Sequence, residues 1–300
     1  MGYDFKYSYD EFNKWEDSAE GMTVLQGDWN NIRAICPDPV TYAVKDGKRL
    51  KLFFMFPATM EEGRKFPLII HVRGSGWEEQ NMTGHYGDFA DIVRSGIAVA
   101  FVQYRNAHIA KCPAQIIDLK SAARYIYRHR DEYPIDISNV FISGDSSGGH
   151  TAVLGYLTWD EEYLDDEDER GALPQVRGLI DFYGVTDVKA LCNTETGMAQ
   201  EDNAKLGEGI LEKEDDEHFA EVNAFCYVDL KEELGPVVIF HGNKDRLVPL
   251  KQSTDLYKAL KARGTDVKLY MVNEADHGGP LFWNDEISGL VIDFVKNNCR

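Results

Sequence analysis

The sequence predicts an α/β fold in one large domain, built on a mostly parallel sheet with helices on both faces. Three observations predict it. Apolar runs of strand length recur along the chain, stretches with helical spacing fall between them from Leu68 onward, and no repeat or Gly/Ser linker divides the 300 residues. Alternation of that kind requires right-handed crossovers between parallel strands. A chain of this length also buries one core without a partner.

Eight strands are expected, near Val40–Val44, Leu50–Phe56, Leu68–Val72, Ile97–Gln103, Val140–Ser143, Val176–Tyr183, Val237–Phe240 and Val267–Val272. The first two flank Asp46-Gly47, a tight-turn pair, and should form an antiparallel hairpin. Helices are expected over Pro113 to about Arg130, Ser147 to about Thr158, Lys251–Arg263 and Asp285–Lys296. In the first of these Ile116, Leu119, Ala123 and Ile126 share a face, and Gly264 is placed to cap the third. Two segments break the alternation: residues 1–36, rich in aromatics without a period, and residues 187–224, which read as short polar helices. Both are candidates to cover the mouth of a site.

Charge narrows the partners. Lys and Arg number 32 against 51 Asp and Glu, a formal net charge of −19. Such a surface repels phosphate backbones and anionic headgroups, so nucleic acid and membrane partners are not expected and a strongly anionic substrate is disfavoured. No run reaches the roughly 18 apolar residues of a membrane helix. Met1–Asp10 lacks the basic start and apolar stretch of a signal peptide. Cys36, Cys112, Cys192, Cys226 and Cys299 are scattered, without a CxxC pair. A disulfide or zinc framework is not expected, and a reducing cytoplasm fits. Asp160–Arg170 is a dense acidic loop without the Gly and ligand spacing of a calcium-binding EF-hand, and Asn81-Met82-Thr83 is a glycosylation sequon with no secretion signal to put it to use.

The chemistry is concentrated in a few short segments. Gly144-Asp145-Ser146-Ser147-Gly148-Gly149 follows a strand and opens a helix, the setting in which G-x-S-x-G lifts a serine hydroxyl out of a cramped strand-to-helix turn. Ser146 is the expected nucleophile. Of the eight histidines, His277 stands just beyond the last strand, where a loop brings a base over such a serine. His71 and His241 lie in or at strands, and His150 on the nucleophile helix; all three suit packing better. Asp245, in the loop after the seventh strand, is the expected acid that accepts the imidazole N–H and fixes its tautomer. Asp276 and Glu274 are substitutes whose proximity to His277 in the chain makes that geometry awkward. Negative charge on the carbonyl oxygen needs preorganised N–H donors. One is expected from Ser147, and others from Arg73-Gly74-Ser75-Gly76-Trp77 after the third strand.

Taken in order, Arg73–Trp77, the 144–149 segment, His241–Pro249 and Ala275–Gly279 resemble the hormone-sensitive-lipase-like esterases and the bacterial carbohydrate and feruloyl esterase-like (BD-FAE-type) hydrolases. The likeness runs over about residues 40–298. It implies the α/β-hydrolase fold, an eight-stranded sheet, no cofactor or metal, a small-molecule ester substrate, and an oxyanion hole at Ser75, Gly76 and Ser147. One departure stands out: these families show His-Gly-Gly-Gly where this chain has Arg73-Gly74-Ser75-Gly76, which leaves Arg73 without a role. Two rival classes share the pattern. An exopeptidase of the same fold would use every triad residue, but usually carries a large extra domain. A binding module would have no use for an intact triad. The acidic residues of 187–224 further suggest a polar cover, and hence short acyl groups over fatty chains.

Overall fold

The computed structural model describes residues 6–165 and 171–300. The last part of the acidic loop, 166–170, and the first residues of the N-terminal segment, 1–5, lie outside them. The chain divides into two units, Met1–Asn31 and Ile32–Arg300. Within the first, the described residues form turns without helix or strand. Their aromatics meet only edge to face, Tyr9 with Trp29 at 5.4 Å and Phe12 with Trp15 at 5.9 Å.

The second unit is built on a nine-stranded sheet. Its strands are β1 (Arg33–Ile35), β2 (Val40–Lys45), β3 (Lys48–Ala58), β4 (Phe66–Val72), β5 (Ala98–Val102), β6 (Ile135–Asp145), β7 (Val176–Phe182), β8 (Val237–Gly242) and β9 (Val267–Val272). The eight expected strands are all present. The ninth, β1, pairs antiparallel with β3 through Ala34 opposite Pro57, so the residues just before Cys36 belong to the sheet rather than to a separate extension. The order is β1-β3-β5-β4-β6-β7-β8-β9, with β2 also on β3. From β5 to β9 every neighbouring pair is parallel. The β2–β3 hairpin closes as expected: Asp46 and Gly47 take φ of 48° and 74°, the two left-handed positions of a type I′ turn.

Residue choice explains the layering. β5 reads Ala-Val-Ala-Phe-Val and is buried throughout, the unbroken apolar run of a strand covered on both faces. Helices α2 (Ala114–Arg128), α3 (Ser147–Leu157) and α7 (Lys251–Ala262) bring Leu119, Leu154 and Leu256 to one core layer, whereas α1 (Ala90–Arg94) and α8 (Asp285–Asn298) bring Val93, Val291 and Val295 to the other. Between β7 and β8 lie α4 (Val188–Cys192), α5 (Gln200–Glu208) and α6 (Asp216–Glu221), the short helices expected over 187–224. Among the described residues no helix is long and apolar enough to cross a membrane. Arg73, Ser146, Tyr183, Asp245 and His277 all follow the carboxyl ends of parallel strands, where open α/β sheets hold their ligands.

Candidate active site

The turn from β6 into α3 is as cramped as the glycines imply. Ser146 has φ 55° and ψ −125°, a conformation that L-residues adopt only under constraint. Its N–H donates to the Phe182 carbonyl at 2.9 Å. A Cβ on Gly144 would sit 2.3 Å from the Gly148 carbonyl oxygen, and one on Gly148 only 2.1 Å from that of Val72. Any larger residue at either position would push the elbow off the sheet.

His277 reaches Ser146 from the loop after β9, its Nε2 lying 2.7 Å from the serine Oγ. Its Nδ1 lies 2.7 Å from Asp245 Oδ2. Asp245 is itself anchored, because its Oδ1 accepts the N–H groups of Leu247 and Val248 at 2.9 and 2.8 Å. Burial pushes the Asp245 carboxyl up, but hydrogen bonds from His241 and His277 outweigh it and hold the group well below the usual carboxylate range. The two substitutes face elsewhere: Glu274 pairs with Lys244, and Asp276 with Arg246. The histidines expected to pack do so. His241 sits between Ser253 Oγ and the Val248 carbonyl, and His150 between Trp77 Nε1 and the Val222 carbonyl, where burial lowers it to about 4 and keeps it neutral.

Arg73 finds its partner in Asp145, the residue before Ser146. Its guanidinium pairs with Asp145 Oδ2, while Oδ1 accepts the Gly74 N–H at 2.8 Å and lies 3.2 Å from His71 Nε2. Burial would raise the Asp145 carboxyl, yet the His71 hydrogen bond and the Arg73 charge hold it well below its ordinary range. Arg73 therefore clamps the loop after β4 onto the elbow. The same clamp corrects one sequence expectation. The Ser75 N–H donates to Ser147 Oγ at 2.9 Å and the Trp77 N–H to the same oxygen at 3.1 Å, so the Ser75 amide is engaged in holding the loop. Gly76, at φ 64° between them, and Ser147, the first residue of α3, keep N–H groups without a hydrogen-bond partner among the described residues. Ser147 thus serves twice, its side chain fixing the loop and its amide left free at a helix N-terminus.

A stability prediction follows from the clamp. Arg73→Ala should leave Asp145 buried without its counter-charge and cost roughly 2–4 kcal/mol of unfolding free energy at neutral pH. Because the folded pKa of Asp145 is depressed, the pair contributes above the unfolded carboxylate value of about 3.9 and fades as pH falls through the folded value. Urea unfolding of both proteins at pH 7 and pH 3 measures this. An equal penalty at both pH values would show that packing, not charge, is what Arg73 supplies.

Ser146 and His277 line a cavity of about 410 Å³. Its lining includes Arg73, His85, Tyr183 and Trp283 and the apolar side chains of Val185, Leu191, Leu206, Leu247 and Val248. Leu191 and Leu206 come from α4 and α5. The inter-strand segment is therefore amphipathic: Glu201, Asp202, Glu212 and Glu214 are exposed, while two leucines face the cavity, an apolar contribution that the acidic composition concealed. Leu206 Cδ1 lies 3.2 Å from where a Cβ on Gly76 would stand, on the loop after β4.

The sequence profile of the BD-FAE family matches residues 55–260, from β3 through most of α7. The chain belongs to the BD-FAE family. Among curated relatives of this BD-FAE chain, a putative alpha/beta hydrolase, R526, of Acanthamoeba polyphaga mimivirus is 34% identical over 150 residues, 49% of this chain and 40% of the relative. The probable carboxylic ester hydrolase LipM of Mycobacterium tuberculosis is 26% identical over 202 residues, 65% of this chain and 45% of the relative. The matches thus span less than half the length of these relatives. A solved structure, the truncated form of a carbohydrate esterase from gut microbiota, superposes with a TM-score of 0.72 at 23% identity, covering 91% of this chain and 98% of that one. That likeness establishes the α/β-hydrolase fold.

Proposed function

We propose that this protein is a serine carboxylesterase that cleaves short-chain acyl esters, acetyl or aryl and feruloyl esters, including those carried on carbohydrates. The observation that carries the reading is the chain Ser146 Oγ, His277 Nε2, His277 Nδ1, Asp245 Oδ2, with both links at 2.7 Å, beside the free amides of Gly76 and Ser147. Membership of the BD-FAE family and the ester-hydrolase name of the mycobacterial relative support it.

In this reading Ser146 attacks the ester carbonyl as His277 accepts its proton, and Asp245 stabilises the resulting imidazolium. The carbonyl oxygen, now negative, takes hydrogen bonds from Gly76 and Ser147. Removal of one such donor typically costs about 3–4 kcal/mol of barrier. The intermediate collapses to an acyl-enzyme as His277 protonates the departing alcohol. Water then attacks the acyl carbon while His277 takes its proton, and the acid leaves Ser146.

The preference for short acyl groups rests on Leu206. Standing against Gly76, it leaves little room for a long chain close to the carbonyl position. With about 0.8 kcal/mol available per buried methylene, an open channel would make rates climb with chain length. The expected result on p-nitrophenyl esters from acetate to palmitate is a maximum at two to four carbons. Leu206→Ala should raise hexanoate over acetate in kcat/KM by about tenfold, the worth of two methylenes newly buried. A parent maximum at eight carbons or longer would replace this reading with that of a lipase. Faster cleavage of a matched aryl amide would replace it with that of an exopeptidase.

A further inference from the structure

Tyr183 is held in an unfavourable conformation at the rim of this site. It directly follows β7 with φ 42°, an outlier for a bulky side chain. Strain of this kind persists only where the surroundings over-determine it, and it concentrates at ligand sites. Here the Tyr183 N–H donates to the Phe240 carbonyl at 2.7 Å, one residue after Phe182 accepts the Ser146 N–H. The ring is wedged edge-on between His277 at 4.8 Å and Phe282 at 4.6 Å. Its hydroxyl lies over Gly278, 3.1 Å from where a Cβ there would stand, so any side chain at that position would press on it.

The hydroxyl itself is the telling group. Tyr183 is only 2% exposed and lines the cavity, yet its hydroxyl has no hydrogen-bond partner among the described residues. Other buried tyrosines do not behave this way: Tyr42 donates to the Gln103 carbonyl at 2.6 Å, Tyr104 to that of Arg73 at 3.1 Å, and Tyr156 to that of Gly235 at 3.0 Å. The hydroxyl oxygen stays accessible from the cavity, where an acceptor on a ligand can take its hydrogen bond. Burial, with Asp145 nearby, pushes its pKa well above the ordinary value, so it stays a donor.

Position identifies the acceptor. In the proposed reading the carbonyl oxygen belongs to the Gly76 and Ser147 amides, and the acyl chain packs on Leu206, which stands against Gly76. His277 must hand its proton to the departing oxygen, so the alcohol part lies on the imidazole side, which Tyr183 and Gly278 flank. We propose that Tyr183 binds the alcohol part of the substrate, its hydroxyl donating a hydrogen bond to a second oxygen on that alcohol. This rests on the serine-esterase reading and adds to it the residue that reads the alcohol, so that esters of hydroxylated alcohols are preferred over plain alkyl esters.

Two size-matched pairs test it: 2-hydroxyethyl acetate with propyl acetate, and 3-hydroxypropyl acetate with butyl acetate. The readout is the ratio of kcat/KM within each pair, parent against Tyr183→Phe. One hydroxyl hydrogen bond predicts that the variant lowers the hydroxy-to-alkyl ratio by about five- to tenfold in at least one pair. Loss of folded enzyme lowers both members equally and cancels. A ratio unchanged in both pairs overturns the assignment of Tyr183 while leaving the esterase reading intact. If the parent cleaves none of the four esters, both fall together.

Discussion

Ser146→Ala is expected to lower kcat on p-nitrophenyl acetate by about 10⁴–10⁶-fold, with the fold unchanged. Among the described residues the Ser146 hydroxyl is the one hydrogen-bonded to His277 Nε2, at 2.7 Å, and the neighbouring Ser147 Oγ is occupied by the amides of Ser75 and Trp77. Alanine keeps the elbow's backbone and removes one oxygen, so circular dichroism and urea unfolding should match the parent closely. What activity remains should come from the oxyanion donors and the bound geometry alone. Mass spectrometry after treatment with an organophosphonate gives a second readout: one adduct on Ser146 in the parent and none in the variant. A folded variant that keeps more than about one-hundredth of the parent rate, or still takes the label, would mean that the nucleophile lies elsewhere.

Most of this site was legible because its parts are local. Gly144, Gly148 and Gly149 announce the elbow within six residues, and the loops bearing Asp245 and His277 each follow a readable strand. What sequence could not show depends on pairings across the sheet. Arg73 looked like an unexplained replacement because its partner, Asp145, stands on another strand, and only the β4–β6 register brings them together. The Ser75 amide was counted as an oxyanion donor because nothing in the chain reveals that Ser147 Oγ takes it first. β1 has three residues and α1 five, too few for a period to declare itself. The strained φ of Tyr183 and the seat of Leu206 on Gly76 are properties of packing, with no local signature at all.

Asp245, the proposed acid of the triad, gives the second large effect, and its surroundings say why a near-isosteric change should be so damaging. Asp245 Oδ1 accepts two backbone N–H groups, from Leu247 at 2.9 Å and Val248 at 2.8 Å, so that position must remain an acceptor. In Asp245→Asn the amide oxygen must therefore occupy it, and the NH₂ group falls where Oδ2 now meets His277 Nδ1 at 2.7 Å. Two donors would confront each other. The imidazole escapes by moving its proton to Nε2, which turns the atom facing Ser146 from a proton acceptor into a donor and leaves the serine without a base. The expected result is a loss of about 10⁴ in kcat with a much smaller change in KM, since substrate binding does not depend on the tautomer. Asp276→Asn is the matched comparison. Asp276 adjoins His277 in sequence, but its side chain faces the exposed Arg246, so kcat should stay within about threefold of the parent. Steady-state kinetics of the two variants on one short-chain ester decide between the carboxylates. If Asp245→Asn stays within tenfold of the parent while Asp276→Asn falls further, the residue next to the histidine in sequence, not the one the sheet delivers to its Nδ1, orients the base.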